Sequence, residues 1–282
     1  MKHIHLNLKR FDIGKKYGGV NPSSDIRLWS KDIIEKTEER LKELKENYDV
    51  EFSMYFPEIH LFNSIEARKY DDVVVSIGCQ GVYELDSSVG GNFGAFTSQR
   101  TANSMKQVGV DSVIIGHLEE RIGLKNILTK AESNNISSVN IILNERIKRA
   151  CEAGLKVLYC IGETSEEKER WKEVLKNQLE IGLLDVDMDK VLIAYEPVWA
   201  IGPGKTPPSS DEIKEVVDYI KSIKPQLEVL YGGGLKKDNA KDLSNIKSLD
   251  GGLIALTCFS GDIGFYPDQY IEIIENYLCK EN

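Results

Sequence analysis

Two side chains at the ends of apolar runs, Glu196 and His117, are of the types that move protons. Glu196 ends the run VLIAY and precedes PVWAIGPGKTP, which is rich in proline and glycine. A carboxylate partly desolvated at such a position has a raised pKa, which suits it to take a proton next to a carbonyl. His117 ends SVIIGH and precedes LEER, which predicts a helix start behind the imidazole. Held neutral there, the ring can donate a hydrogen bond to a substrate oxygen.

Further candidates are suited to holding an anion. Asn7 and Lys9 share one face of the first predicted strand, where they offer an amide and a cation. The glycines of YGGGLKKDNA, which end at Gly234, let backbone N–H groups approach a phosphate, and we expect a helix start behind them. Each signal alone also fits a plain structural role: a solvated carboxylate, a structural histidine, a surface lysine or an ordinary turn. GPGKT is not a Walker loop, because Trp199 stands where the leading glycine is required.

Composition and charge limit the classes of protein to which this chain can belong. The chain has 282 residues, of which 41% are hydrophobic and 29% charged, as in a globular protein with a sizeable core. The net charge of 36 − 45 = −9 argues against nucleic-acid binding, and an anionic substrate must be held by local groups. We find no signal peptide and no apolar run of membrane-spanning length. Five cysteines without a C-x-x-C pair favour a reducing compartment, and the four histidines show no metal-ligand spacing with them. The sequence therefore predicts a cytoplasmic protein with no metal and no membrane partner.

Predicted strands and helices, which must position these side chains, alternate along the chain. Eight short apolar runs read as parallel strands covered on both faces: HIHLNL, VEFSMYF, DVVVSIG, SVIIGH, KVLYCIG, VLIAYEP, EVLYGG and GGLIALT. Helical patterns lie between them; Ser30 and either Ser209 or Ser210 are expected helix caps, and Gly154 an expected helix stop. We predict a single (β/α)8 TIM barrel over residues 1–282, with a doubly wound open sheet as the rival. In such a barrel the chemistry lies at the C-terminal ends of the strands.

The motifs NLK, IIGHLEER, YCIGET, AYEPVWAIGPGKTP and YGGGL…NA occur in this order at the strand ends. In this combination, which extends over essentially the whole chain, the sequence resembles the triosephosphate isomerase family. The glutamate loop is the most specific of these motifs, and the histidine motif is next. The resemblance implies a homodimeric, cytoplasmic enzyme of glycolysis and gluconeogenesis that acts on a small phosphorylated sugar without a cofactor.

The resemblance also assigns roles. Glu196 matches the catalytic base, His117 the electrophile, and Lys9 the cation that stabilises the enediolate, with Asn7 beside it in substrate binding. Gly202 matches the lid residue that donates a backbone N–H to the phosphate. The remaining substrate-binding positions are Gly234, Ala255 and Leu256.

Several positions depart from the family pattern. GHSERR reads GHLEER, so Glu120 replaces an arginine, and Gln99 replaces the glutamate with which that arginine pairs. We interpret this double change as a rewired contact. In the phosphate loops, Gly234 replaces a serine, and the paired glycines of the eighth loop become Ala255 and Leu256. Gly81 replaces an asparagine after Gln80, and the first, third and fourth loops that follow the strands are lengthened.

Three functions stay open on the sequence. The first is interconversion of glyceraldehyde 3-phosphate and dihydroxyacetone phosphate through an enediolate. The second is isomerisation of a four-carbon ketose phosphate such as erythrulose phosphate, which the altered phosphate loops and the long first loop favour. The third, a noncatalytic binding protein on the same barrel, is disfavoured because Asn7, Lys9, His117 and Glu196 are all present.

Overall fold

The computed structural model describes residues 1–70, 72–133, 135, 137–201 and 205–279. The strands within these residues follow the eight apolar runs of the sequence closely. They are β1 (Lys2–Asn7), β2 (Val50–Phe56), β3 (Val75–Cys79), β4 (Ser112–Ile115), β5 (Lys156–Ile161), β6 (Val191–Tyr195), β7 (Glu228–Tyr231) and β8 (Gly251–Ile254).

The helices between the strands begin with α1 (Trp29–Asn47), α2 (Leu61–Glu66), α3 (Ala102–Gln107) and α4 (Leu118–Lys130). They continue with α5 (Ser137–Glu152), α6 (Trp171–Gly182), α7 (Ser210–Ile223), α8 (Ala240–Ser244) and α9 (Pro267–Leu278). None of the helices in the described ranges is both long and apolar enough to cross a membrane.

The strands pair in chain order as a closed barrel, β1 to β8. β1 pairs in parallel with β2, where Leu6 lies opposite Met54, and also with β8, where Leu6 lies opposite Ile254. A first strand bonded on both sides leaves no open edge there. The predicted (β/α)8 barrel is therefore confirmed, and the open doubly wound sheet is excluded.

Contacts between Cα atoms divide the chain into two compact units. The first comprises Met1–Gln80 with Leu230–Asn282, and the second Gly81–Val229. The prediction of one domain over residues 1–282 stays a prediction.

In the first unit, helices α1 and α9 cover part of the sheet. Ile34 and Leu41 of α1 and Ile274 of α9 are completely buried. At the rim of this layer the guanidinium of Arg40 donates to the carboxylate of Glu275 with an Nε–Oε1 distance of 2.7 Å. Burial of the aliphatic side chains supplies most of the stabilisation, because exposed ion pairs contribute little.

In the second unit, helices α5 and α6 pack side by side. Leu143 and Ile147 of α5 and Leu175 and Leu179 of α6 are completely buried. Asn144 donates from Nδ2 to the carbonyls of residues 182 and 184, at 3.0 and 2.9 Å, and so satisfies carbonyls that the end of α6 leaves unpaired.

Of the predicted helix caps and stops, two are confirmed and one is wrong. Gly154 ends α5 in the left-handed region with φ = 79°, and Ser209 caps α7, as predicted. The prediction that Ser30 caps the first helix is wrong, because a 3-10 turn over Ile26–Leu28 runs directly into α1. The buried hydroxyl of Ser30 instead donates to the carbonyl of His60 at 3.0 Å.

The loops that follow the strands also differ in part from expectation. Residues 8–28 and 80–101 form long loops after β1 and β3, and that these loops are lengthened relative to the family stays a prediction. Much of the fourth insertion is helical, because α4 continues to Lys130. Residues 255–266 after β8 form a further long loop that the sequence reasoning missed.

The cap of α7 gives a test of local stability. Ser209 Oγ accepts the N–H of Glu212 at 3.2 Å, and Glu212 Oε2 accepts the N–H of Ser209 at 2.8 Å. Ser209→Ala removes one half of this capping box, so we expect a loss of about 1 kcal/mol in the free energy of unfolding, measured in urea. The neighbouring Ser210→Ala variant should stay within about 0.5 kcal/mol of the wild type. Equal losses in the two variants would contradict the assignment of the cap.

Candidate active site

The side chains of His117 and Glu196 meet at the ends of β4 and β6. His117 Nε2 lies 3.2 Å from Glu196 Oε1, and both residues are buried. The second carboxylate oxygen of Glu196 accepts the backbone N–H of Leu118 at 3.0 Å. The carboxylate therefore rests on the first turn of α4, where backbone N–H groups and the helix dipole favour a negative charge.

The contacts of His117 indicate where a neutral ring carries its proton. His117 Nδ1 accepts the backbone N–H of Glu119 at 3.4 Å, as an N-cap of α4. A ring nitrogen that accepts an N–H carries no proton of its own, so the proton of the neutral imidazole lies on Nε2. This nitrogen lies within hydrogen-bond distance of Glu196 Oε1, so the pair offers a donor and an acceptor to each other.

Glycine is required where β5 ends beside β6. A Cβ atom on Gly162 would lie 1.8 Å from the backbone carbonyl oxygen of Glu196. Any side chain at residue 162 would displace the backbone that carries Glu196. This close approach gives a physical reason for the glycine in YCIGET.

A second buried carboxylate, that of Glu163, holds the residues that follow Glu196. Its Oε1 accepts the indole N–H of Trp199 at 2.7 Å and the hydroxyl of Tyr195 at 3.0 Å. The ammonium of Lys168 lies 3.5 Å from the centre of the Trp199 ring, on one of its faces. Burial raises the pKa of Glu163, and the two side-chain hydrogen bonds offset part of that rise. The sequence marked Glu163 only as a strand-end residue, and its partners emerge from the tertiary structure.

In the first unit, the backbone of Lys9 is held by the side chains of Asn7 and Gln80. Lys9 adopts φ = 42°, in the left-handed region that non-glycine residues rarely occupy. Its N–H donates to Asn7 Oδ1 at 3.0 Å, and its carbonyl accepts from Gln80 Nε2 at 2.8 Å. Two side-chain hydrogen bonds thus offset the backbone strain at Lys9 and fix where its side chain begins.

The candidate phosphate loops of the first unit follow β7 and β8. Gly234 has φ = 101°, and Ala255 and Leu256 are half-buried residues directly after β8. The helix expected behind the glycines is short and displaced: α8 begins at Ala240 and has 5 residues. The reason is a turn in which Asn239 Oδ1 accepts the N–H of Lys236, at 2.8 Å, before the helix starts. A helix of that length contributes little dipole to the loop.

Two further predictions concern the lid residue Gly202 and a metal site. Gly202, the expected lid residue, lies outside the described residues. Across the described ranges, no group of three or more His, Cys, Asp and Glu side chains is arranged to hold a metal ion.

Comparison with known proteins identifies the family of this chain. A family model described as Triosephosphate isomerase matches residues 29–276. The chain belongs to the triosephosphate isomerase family. The resemblance in the motifs is thereby confirmed, and so is, at the level of the family, the prediction of an isomerase.

Individual members of the triosephosphate isomerase family give the same result. The triosephosphate isomerase of Leptospira interrogans is 34% identical over 218 residues, which cover 72% of this chain and 79% of that relative. That of Mycoplasmopsis pulmonis is 30% identical over 234 residues, covering 82% and 83%. The crystal structure of triosephosphate isomerase from Bartonella henselae superimposes with a TM-score of 0.68 at 25% identity, covering 98% of both chains.

Against the triosephosphate isomerase pattern, the contact of Glu120 is rewired within the second unit. Its Oε1 pairs with Arg146 Nη1, and its Oε2 accepts the N–H of Gly116. Arg146 also pairs with Glu84 of the long third loop, at 3.1 Å. Burial lowers the pKa of Arg146, but the two carboxylates outweigh that effect and raise it overall. An arginine on α5 thus supplies the opposite charge that a glutamate at residue 120 requires.

The pKa of Glu163 predicts a dependence of stability on pH. Because the folded pKa is raised above the ordinary 4.5, folding favours the protonated acid. Its contribution is fully present below about pH 4.5 and is lost as the pH rises through the folded pKa. Relative to Glu163→Gln, the wild type should therefore lose stability as the pH rises above about 4.5, by at most about 1.4 kcal/mol per pH unit. Urea unfolding of both proteins at each pH measures this difference.

Glu212 provides the matched control for this pH series. The hydrogen bond from the Ser209 backbone lowers the pKa of Glu212, so its contribution is lost as the pH falls. Glu212→Gln should therefore give a pH dependence of the opposite sign. A flat or rising stability difference for Glu163 would contradict the raised pKa of its carboxyl group.

Proposed function

We propose that this protein interconverts glyceraldehyde 3-phosphate and dihydroxyacetone phosphate without a cofactor. The observation that carries the proposal is the contact between the buried carboxylate of Glu196 and the Nε2–H of His117. A carboxylate base and a neutral hydrogen-bond donor are the two groups that moving a proton next to a carbonyl requires. The names of the family's relatives support the substrate.

In the proposed mechanism, Glu196 removes a proton from the carbon next to the substrate carbonyl. His117 Nε2–H donates to the carbonyl oxygen, which becomes negatively charged as the enediolate forms. Glu196, now protonated, returns the proton to the adjacent carbon while the hydroxyl proton moves between the two oxygens through His117. Aldose and ketose are thereby exchanged with no net gain or loss of protons or electrons.

The contacts of Glu196 in the structure are compatible with this cycle. His117 Nε2–H and the Leu118 N–H hold the carboxylate, and neither is a charged partner. A substrate carbonyl that accepts the His117 proton would replace Glu196 as its acceptor. Once His117 donates to the substrate, the carboxylate of Glu196 can turn towards the substrate carbon. Glu196 then loses its contact with His117, and the new contact between His117 and the substrate partly compensates for that loss.

Substrate binding is assigned in the same proposal. The ammonium of Lys9 would stabilise the enediolate charge, and Asn7 would fix the backbone of Lys9 through the hydrogen bond described above. Gly202, Gly234, Ala255 and Leu256 would donate backbone N–H groups to the phosphate, as the family resemblance implies.

A four-carbon ketose phosphate such as erythrulose phosphate is the second candidate substrate. Its support is the changed set of phosphate-loop residues, Gly234, Ala255 and Leu256, and the long loops over residues 8–28 and 255–266. These changes alter the shape of the phosphate loops while the proposed proton-transfer pair is kept. A noncatalytic binding protein is a weaker alternative, since a binding role gives no reason for the contact between Glu196 and His117.

A coupled isomerase assay tests these candidates. Glyceraldehyde 3-phosphate and L-erythrulose 1-phosphate are each supplied to the wild type, with Glu196→Gln as the blank. We expect turnover of the triose that falls by at least about 100-fold in Glu196→Asp, because the shorter side chain withdraws the base by about one carbon–carbon bond. Turnover of the tetrulose alone would identify the four-carbon ketose phosphate as the substrate. No turnover of either compound would favour a noncatalytic binding protein.

We also propose that the protein is a homodimer that associates through its third loop. Val89 and Phe93 of this loop are almost fully exposed, and Leu85 is more than half exposed. Apolar side chains grouped in this way on one loop are typical of protein–protein contacts.

Light scattering coupled to size-exclusion chromatography should give the mass of two chains. Phe93→Ser should shift the equilibrium towards monomer by at least about tenfold, since an aromatic anchor contributes more than about 1.4 kcal/mol to such contacts. Ile127→Ser, at an exposed position of α4, is the control and should leave the dimer intact. A monomeric wild type would refute the proposal.

A further inference from the structure

The loop after β8 is folded into a hairpin that rests on the first loop. Cys258 and Gly264 form an antiparallel bridge, and Thr257 Oγ1 accepts the N–H of Tyr266 at 2.8 Å. Asp262, near the tip of the hairpin, pairs with Lys15 of the first loop at 2.8 Å. The long eighth loop therefore has a defined conformation, which sets the position of the side chains that it carries.

One of those side chains is that of Phe259, which contacts Lys236, a residue of the loop after β7. The ammonium of Lys236 lies 4.2 Å from the centre of the Phe259 ring, within the range of a cation–π interaction. The backbone on either side is fixed by Asn239, which accepts the N–H of Lys236 at 2.8 Å and donates to the carbonyl of Gly234 at 3.0 Å. Lys236 is thus positioned by its backbone and by an aromatic ring.

The side chain of Lys236 lies close to Gly234. A Cβ atom built on Gly234 would be 3.4 Å from Lys236 Cε, which is van der Waals contact. The lysine chain therefore passes beside the position where the family pattern has the side chain of a serine.

Lys236 differs from nearby lysines in its interaction partner. Lys237 pairs with Glu272 and Lys15 pairs with Asp262. In the described part of the chain, Lys236 forms no salt bridge to a carboxylate, and its ammonium lies over the ring of Phe259. A ring orients the ammonium without cancelling its charge, so the cation keeps its capacity to bind an anion.

We propose that Lys236 binds the phosphate of the substrate beside Gly234 and that Phe259 of the eighth loop positions it. This inference rests on the proposed function, since it takes the Gly234 loop as the phosphate site. The ammonium supplies a charged donor beside the backbone N–H groups of this loop, at the position where the family pattern has a serine. The long eighth loop then acts on substrate specificity through Phe259.

Calorimetric titration with inorganic phosphate tests the proposal without any turnover. Lys236→Met keeps the aliphatic chain and removes the charge, and we expect phosphate affinity to fall about tenfold, as for one charge-assisted contact that is partly exposed. Lys237→Met is the matched control, one residue away, and should stay within about twofold of the wild type. Equal affinities in the two variants, or a wild type that binds no phosphate, would overturn the proposal.

Two further variants separate charge from shape. Lys236→Arg should retain affinity within about threefold, because the charge is kept, whereas Phe259→Leu should lose about threefold through the missing cation–π contact. Retained affinity in Phe259→Leu would overturn the positioning role of the ring. Circular dichroism and thermal unfolding check that each variant is folded.

Kinetics on whichever substrate is active provide an independent measure. The Lys236→Met variant should raise KM with kcat nearly unchanged, since the contact to the phosphate is made equally in ground and transition states. If neither sugar phosphate is turned over but Lys236→Met still weakens phosphate binding, the proposed reaction fails and the anion site stands.

Discussion

The buried carboxylate of Glu196 is the constraint on which the candidate active site depends. A carboxylate removed from water is destabilised by several kcal/mol unless donors replace the water. Here the donors are the N–H of Leu118 and the Nε2–H of His117. They are available because α4 starts immediately after His117, and Gly116 with φ = 79° makes that abrupt start possible. The local conformation at the end of β4 is therefore coupled to the charge at the end of β6.

Among the described residues of the second unit, the buried carboxylates of Glu163 and Glu196 have different hydrogen-bond partners. Glu163 accepts from the indole of Trp199 and the hydroxyl of Tyr195, both of which belong to packed aromatic rings. Glu196 accepts from a helix terminus and an imidazole, groups that can transfer their hydrogen bonds to a ligand. Glu163 is thus suited to hold the chain that follows Glu196 in place, and Glu196 is suited to exchange partners during a reaction.

The departures from the triosephosphate isomerase pattern fall into two kinds. The change at Glu120 is compensated within the fold, because Arg146 provides the charge that the new carboxylate needs. The changed residues Gly234, Ala255 and Leu256 lie in loops that also carry a hairpin after β8, its ion pair to the first loop, and the Lys236 side chain beside Gly234. The proposed function assigns proton transfer and substrate recognition to different loops, so recognition can change while the proposed acid–base pair stays the same.

Much of the fold followed from the sequence alone. Continuous apolar runs marked the strands because both faces of each strand are covered, and the motifs made Glu196 and His117 candidates because few residue types can perform proton transfer. The sequence also located the cap at Ser209 and the stop at Gly154, since these signals act within a few residues. It failed at Ser30, whose hydroxyl bonds to His60 thirty residues away, and at the long loop after β8.

Other features were decided only by the tertiary structure. The tautomer of His117, the Arg146 partner of Glu120 and the contact of Phe259 with Lys236 each join segments that are distant in the chain or depend on a side-chain conformation. Residue type and spacing are local properties, whereas these contacts depend on where the barrel brings loops together. The sequence therefore determined which groups are available for chemistry, and the folded chain determined which of them are paired, because pairing is a matter of distance in space.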